Sequence, residues 1–212
     1  GFEDLKYYLD HEKAPVAGFT PDCKYPVVYA ERGRAVIKVK ADLDHLITFM
    51  NKYILNTQNK GERLGIDYKN DEFGQLEIRN YHLTKEDFSF SISYPAGLTL
   101  DEILTQLNNL EGYEYEVVSH FKPVYFDKKA PMVEIMKETY EYVTGNDGTP
   151  VTTTGGTYAK MMPHIVPFGP SFPGQKGIGH NPNEWMTRED LITNAKIYAL
   201  TLYQLSRKET EL

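Results

Sequence analysis

Apolar and polar positions change period several times along the chain. Over Arg34–Lys40 (RAVIKVK) they alternate, as in a strand with one buried face. Leu43, Leu46, Ile47, Met50 and Ile54 then fall on one side of a helix covering 43–55. Two strand patterns follow, Gln75–Leu83 and Phe88–Tyr94, the second stopped by Pro95. Thr99 with Glu102 makes a capping box for a helix to Leu110, Gly112 closes it, and Tyr113–Phe121 returns to strand. The order from Arg34 to Phe121 is β-α-β-β-α-β. That pattern predicts a ferredoxin-like module, a four-stranded antiparallel sheet with both helices on one face.

The flanks are patterned differently. Phe2, Leu5 and Leu9 predict a short helix over Glu3–Glu12, stopped before Pro15. Gly18–Pro26 (GFTPDCKYP) is punctuated as loop, and Val27–Tyr29 is a short strand. Pro131 opens a helix that Gly145 ends. Thr149–Gly156 and Val166–Gly179 are rich in Gly and Pro and are expected to be long loops, which in compact domains usually carry function. Thr187 and Asp190 cap a last helix to about Arg207, with Ile192, Ala195, Leu200 and Tyr203 expected on its apolar side. The fold class is therefore α/β (α+β). No internal repeat or low-complexity tract is present.

Composition narrows the function classes. The 212 residues are 41% hydrophobic and 25% charged, enough for a packed core. Lys plus Arg number 23 against 30 Asp plus Glu, a formal charge of -7, which argues against nucleic acid or an anionic membrane as partner. No apolar run approaches the roughly 20 residues of a spanning helix. The single cysteine, Cys23, permits no internal disulfide and suits a cytoplasmic setting. The first residues show neither the basic end nor the apolar stretch of a signal peptide, and without an initiator Met they suggest a cut inside a longer protein.

Chemistry-bearing motifs concentrate near the C-terminus. Thr154-Gly-Gly-Thr-Tyr-Ala-Lys160, Phe168-Gly-Pro-Ser-Phe-Pro-Gly174 and His180-Asn-Pro-Asn-Glu-Trp185 follow one another before the last helix. Taken with Gly18-Phe-Thr-Pro-Asp22, Tyr25-Pro26, Glu31-Arg-Gly33 and Ile92-Ser-Tyr-Pro95, they resemble the bacterial dipeptidase V type of zinc dipeptidase. That type belongs to the aminoacylase, glutamate carboxypeptidase and succinyl-diaminopimelate desuccinylase superfamily of metallopeptidases. The resemblance implies a zinc-exopeptidase catalytic domain interrupted by a lid. Residues 1–33 would end the first catalytic segment, 34–121 would be a shortened lid able to mediate a homodimer, and 122–212 would return to the catalytic domain. Near Lys40-Ala41 the lid is shorter than in the family, through either a reduced lid or an internal deletion.

The implied activity is hydrolysis of a small peptide by two zinc ions and a Glu general base. Neither an HxDxxP segment nor a Glu-Glu pair occurs here. Only the late ligand maps, onto His180, which without the resemblance is an ordinary loop histidine. Gly155, Gly156 and Thr157 are implied to lie along the substrate, where glycine lets a ligand come close; by composition alone they make a turn. His11, His45, His82, His120 and His164 have no metal-site spacing and are expected to be structural. Ser93 stands where the family has a carboxylate-clamping Arg, Thr154 where a third glycine is common, and Lys160 where Arg is common. Two readings follow. The chain is part of a zinc dipeptidase and inactive alone, or it is a non-catalytic α/β lid-type module or degenerate family member.

Overall fold

The structure is a computed structural model that describes residues 2–175, 179 and 181–207. The chain forms two compact units, Gly1–Ala30 with Tyr125–Leu212, and Glu31–Val124.

In the Glu31–Val124 unit the strands are Gly33–Lys40, Glu77–Leu83, Asp87–Tyr94 and Glu114–Phe121. Across the sheet they run Glu77–Leu83, Asp87–Tyr94, Gly33–Lys40, Glu114–Phe121, all antiparallel. This is the ferredoxin-like order. Alternation puts Ala35, Ile37 and Val39 on one face beside Phe88, Phe90, Ile92 and Tyr94. Leu46 and Phe49 from one helix, with Ile103 and Leu107 from the other, complete a single core there. Both helices therefore cover the same face.

The local signals work as written. Thr99 accepts from the Glu102 backbone N–H while the Glu102 carboxylate accepts from the Thr99 backbone, opening the helix Leu100–Asn108. Asp42 accepts the His45 backbone N–H at 3.0 Å and also holds the His45 ring at 2.7 Å, so Asp42 is the N-cap of this helix and His45 its side-chain partner. The first helix is α only over Leu43–Phe49 and widens into a π turn over Met50–Ile54. Buried Arg32 donates through Nε to the Phe73 carbonyl at 2.9 Å and lies 3.4 Å from Glu77. It ties the polar loop before the second strand to the sheet. Gly33 is packed face-on by the Tyr94 ring, leaving no room for a Cβ.

In the other unit, the three stretches expected to be loops hold short strands. Gly18–Thr20 pairs in parallel with Ile165–Pro167, and Cys23–Lys24 in parallel with Pro170–Ser171. Val28–Glu31 lies between Val124–Tyr125 and Val151–Thr153. Strands of two or three residues are too short for a visible alternation, and partners far along the chain create them. Helix Pro131–Thr144 is as predicted, with Pro131 in its first turn and Gly145 left-handed at φ 71°.

The last helix, Arg188–Arg207, is N-capped by Thr187, whose hydroxyl accepts the Asp190 N–H at 3.0 Å, but its buried face is not the predicted one. Asn194, Ile197, Thr201 and Leu205 face inward, whereas Ile192 and Tyr203 are 45% and 54% exposed. Asn194 is held inside because its amide is satisfied. Tyr25 Oη donates to it at 2.6 Å, and it donates to the Pro170 carbonyl at 3.2 Å. The core of this unit gathers Tyr25, Val166 and Phe168 against Met132, Val133, Met136, Tyr140 and Ile197.

Candidate functional site

Parallel pairing makes Gly18–Thr20 and Ile165–Pro167 end on the same side, and in open α/β sheets the carboxyl ends of strands are where ligands bind. Pro21 and Asp22 leave the first strand at that end. Asp22 is exposed, and its Oδ2 accepts the backbone N–H of Tyr158 at 3.3 Å. No lysine, arginine or histidine among the described residues forms a salt bridge with it. The bond joins two motifs far apart in sequence, Gly18–Asp22 and the glycine loop before Tyr158. In the sequence Asp22 is one residue of the Gly18–Asp22 motif, with no spacing that marks it as a ligand. The available signal was an acid placed two residues beyond the Gly-Phe-Thr triplet.

The glycine loop has a built base and an open top. Thr157 is 3% exposed, and its hydroxyl accepts the Ala159 N–H at 3.2 Å, capping the turn Tyr158–Lys160. Its side chain is thus committed to the fold. Gly155 and Gly156 are exposed. A Cβ on Gly155 would meet nothing nearer than Thr153 Oγ1 at 3.6 Å, and one on Gly156 only the flexible end of Lys160 at 2.8 Å. The protein's own packing therefore does not demand glycine at 155.

Tyr158 turns its hydroxyl toward Asp4, donating at 3.3 Å, and its ring meets Phe2 edge-on at 5.4 Å. The charge on Asp4 and this hydrogen bond raise the phenol's pKa, with a smaller contribution from Asp22. Beneath the ring lies an apolar hollow of about 250 Å³ between Leu5, Tyr8, Phe19, Met162 and Ile165. With no charged group in its wall, it offers nothing for acid–base or metal chemistry.

His180 lies outside the described residues. Among the described residues, no group of three or more His, Cys, Asp or Glu could hold a metal ion. A catalytic zinc takes about three protein ligands, and Asp22 is one donor. The described residues by themselves therefore do not fit a zinc ion. In the other unit, Ser93 is 3% exposed between Arg34 and Glu77 on neighbouring strands, its hydroxyl buried without a hydrogen-bond partner among the described residues.

The model of peptidase family M20/M25/M40 matches residues 10–204. The chain belongs to this family. A protein of Staphylococcus saprophyticus bearing a dipeptidase name is 27% identical over 184 residues, covering 82% of this chain and 39% of that protein. A dipeptidase-named protein of Staphylococcus aureus strain USA300 is 26% identical over 198 residues, covering 87% and 42%. Among solved structures, a tripeptidase from Staphylococcus aureus superposes with a TM-score of 0.63 at 16% identity, over 91% of this chain and 58% of that one. At that identity the likeness speaks for the fold, which is mixed α/β. This family member spans about two-fifths of the length of the curated relatives it matches. None of its helices among the described residues is long and apolar enough to cross a membrane.

Proposed function

We propose that this chain is part of a cytoplasmic zinc dipeptidase of the dipeptidase V type, and that it is inactive alone. The observation that carries the reading is Asp22. In a member of the M20 peptidase family, an exposed carboxylate stands at the carboxyl end of a parallel strand pair and is hydrogen-bonded to the segment following Gly155–Thr157. Asp22 and His180 would be this chain's metal donors, with the remaining ligands of two zinc ions and the Glu base coming from outside it. The backbone of Gly155 and Gly156 would lie along a small peptide, with Thr157 fixing the loop from below.

Ser93 favours a second reading, a non-catalytic lid-type module or degenerate member. Its short buried side chain cannot clamp a carboxylate as an arginine does.

The test is hydrolysis of a dipeptide panel by this chain and by its complete gene product, each with added Zn²⁺, Mn²⁺ or Co²⁺. The expected result is turnover by the complete protein and none by the 212-residue chain above a metal-only blank. Turnover by this chain alone would overturn the reading of it as an incomplete enzyme. No turnover by the complete protein would favour the non-catalytic alternative.

A further inference from the structure

Along the helix Pro131–Thr144, Ile135, Glu138, Thr139 and Tyr142 follow one another at the spacing that puts side chains on a single face. They line one side of a groove of about 400 Å³, and Leu200 and Gln204, one turn apart on the helix Arg188–Arg207, line the other. Both helices belong to one unit and share its core through Met136, Tyr140 and Ile197. The volume is that of a small-molecule site.

The polar groups of this groove are left unbonded by the fold. Threonines in helices commonly donate to the carbonyl four residues back, and Thr48, Thr105, Thr144 and Thr193 do so at 2.9, 2.7, 2.7 and 2.8 Å. Thr139 is only 4% exposed, yet it forms no hydrogen bond with a described residue. Thr201 lacks one too, but it is fully buried and does not line the groove. Glu138 is exposed and has no ion pair among the described residues. Its neighbours on the helix are engaged, Glu134 with Lys137 at 3.9 Å and Glu141 with the Gly148 N–H at 3.0 Å. Tyr142 stands four residues beyond Glu138 and is 83% exposed, so ring and carboxylate are neighbours on the helix surface.

We infer that this groove binds a small primary alkylammonium ligand. An ammonium carries three N–H donors and no acceptor. The groove holds three acceptors for them, the Glu138 carboxylate, the Thr139 hydroxyl and the Gln204 amide oxygen. Glu138 is the one charged residue of its wall among the described residues, so a cation is attracted and a carboxylate repelled. The face of the Tyr142 ring also attracts a cation. Ile135 and Leu200 give an alkyl stem an apolar surface to cover. A metal ion does not fit, because Glu138 has no second carboxylate, histidine or cysteine beside it in the wall. The inference is independent of the dipeptidase reading and uses none of its residues.

The test titrates hexylamine, 1-hexanol and hexanoate into the complete gene product at neutral pH, three probes with the same stem and different charge. Saturation-transfer NMR reports contact and calorimetry reports affinity. Saturable binding of hexylammonium is expected, with hexanol weaker and hexanoate not bound. Glu138→Gln keeps the shape and removes the charge, and should weaken hexylammonium about fivefold while leaving hexanol unchanged. Thr139→Val keeps the volume and removes the hydroxyl, and should weaken hexylammonium about threefold. Circular dichroism checks the fold of both variants. Should Thr139→Val fail to fold, Glu138→Gln, on an exposed side chain, decides alone. An absence of saturable hexylamine binding would overturn the inference, as would equal affinity for the amine and hexanoate. Hexylamine binding that Glu138→Gln leaves unchanged would place the amine elsewhere on the protein, which also overturns it.

Discussion

Replacing Gly33 by alanine tests how tightly the Glu31–Val124 unit is packed. The backbone at Gly33 is not left-handed, so alanine can adopt it, and the obstacle is steric alone. The new Cβ would sit 2.3, 2.6 and 2.7 Å from Cζ, Cε2 and Cε1 of Tyr94. Carbon atoms in contact rest at about 3.5–4.0 Å, so the ring must shift by more than about 1 Å. It has nowhere to go, because Tyr94 is 1% exposed and its hydroxyl is bonded to His120 Nε2 at 2.6 Å. Overpacking costs about 1–3 kcal/mol, and loss of the Tyr94–His120 bond adds about 0.5–1.5 kcal/mol. Gly33→Ala should therefore destabilise by about 1.5–4.5 kcal/mol on those two principles. Urea unfolding by circular dichroism should show a lower midpoint at unchanged slope. In a Tyr94→Leu background, where the ring is gone, the same substitution should cost much less. A loss under about 0.5 kcal/mol in the parent, within the usual range of surface substitutions, would refute the argument. So would an equal loss in both backgrounds.

Thr99→Ala removes an N-cap and should cost about 1 kcal/mol in urea unfolding at neutral pH. The Thr99 hydroxyl and backbone N–H hold the Glu102 carboxyl below its ordinary pKa. The contribution of this carboxylate is complete above the ordinary Glu value and lost as pH falls through the depressed one. The gap between Thr99→Ala and the parent should therefore narrow in acid, and a gap independent of pH would count against the capping box. In the complete gene product, His180→Ala should remove about one zinc equivalent, by metal analysis, and lower turnover sharply with the fold intact. Retention of both metals and of near-normal turnover would reduce His180 to a loop histidine. Asp22→Asn, which keeps an acceptor for the Tyr158 N–H but loses the charge, should lower metal affinity of the complete enzyme at least about tenfold. Unchanged metal content and activity would leave Asp22 as a structural acceptor only.

By itself the sequence determined the elements whose signals are local. The alternation of Arg34–Lys40 and the Thr99–Glu102 box each act within a few residues, so the ferredoxin-like order could be read off directly, and the Pro131 and Gly145 boundaries marked a helix of the other unit in the same way. The motifs pointing to the M20/M25/M40 peptidase family were equally legible, because they are contiguous strings. Tertiary structure decided what depends on partners far along the chain. Gly18–Thr20 and Ile165–Pro167 are strands only because they find each other, since two or three residues hold no periodicity and no local stability. Asp22 became a candidate only when its carboxylate met the Tyr158 N–H beyond the glycine loop. The last helix shows the same limit from the other side. Apolar residues ring most of Arg188–Arg207, so hydrophobicity alone could not choose a face. The choice fell to Asn194, a polar residue that can be buried because Tyr25 and Pro170 satisfy its amide.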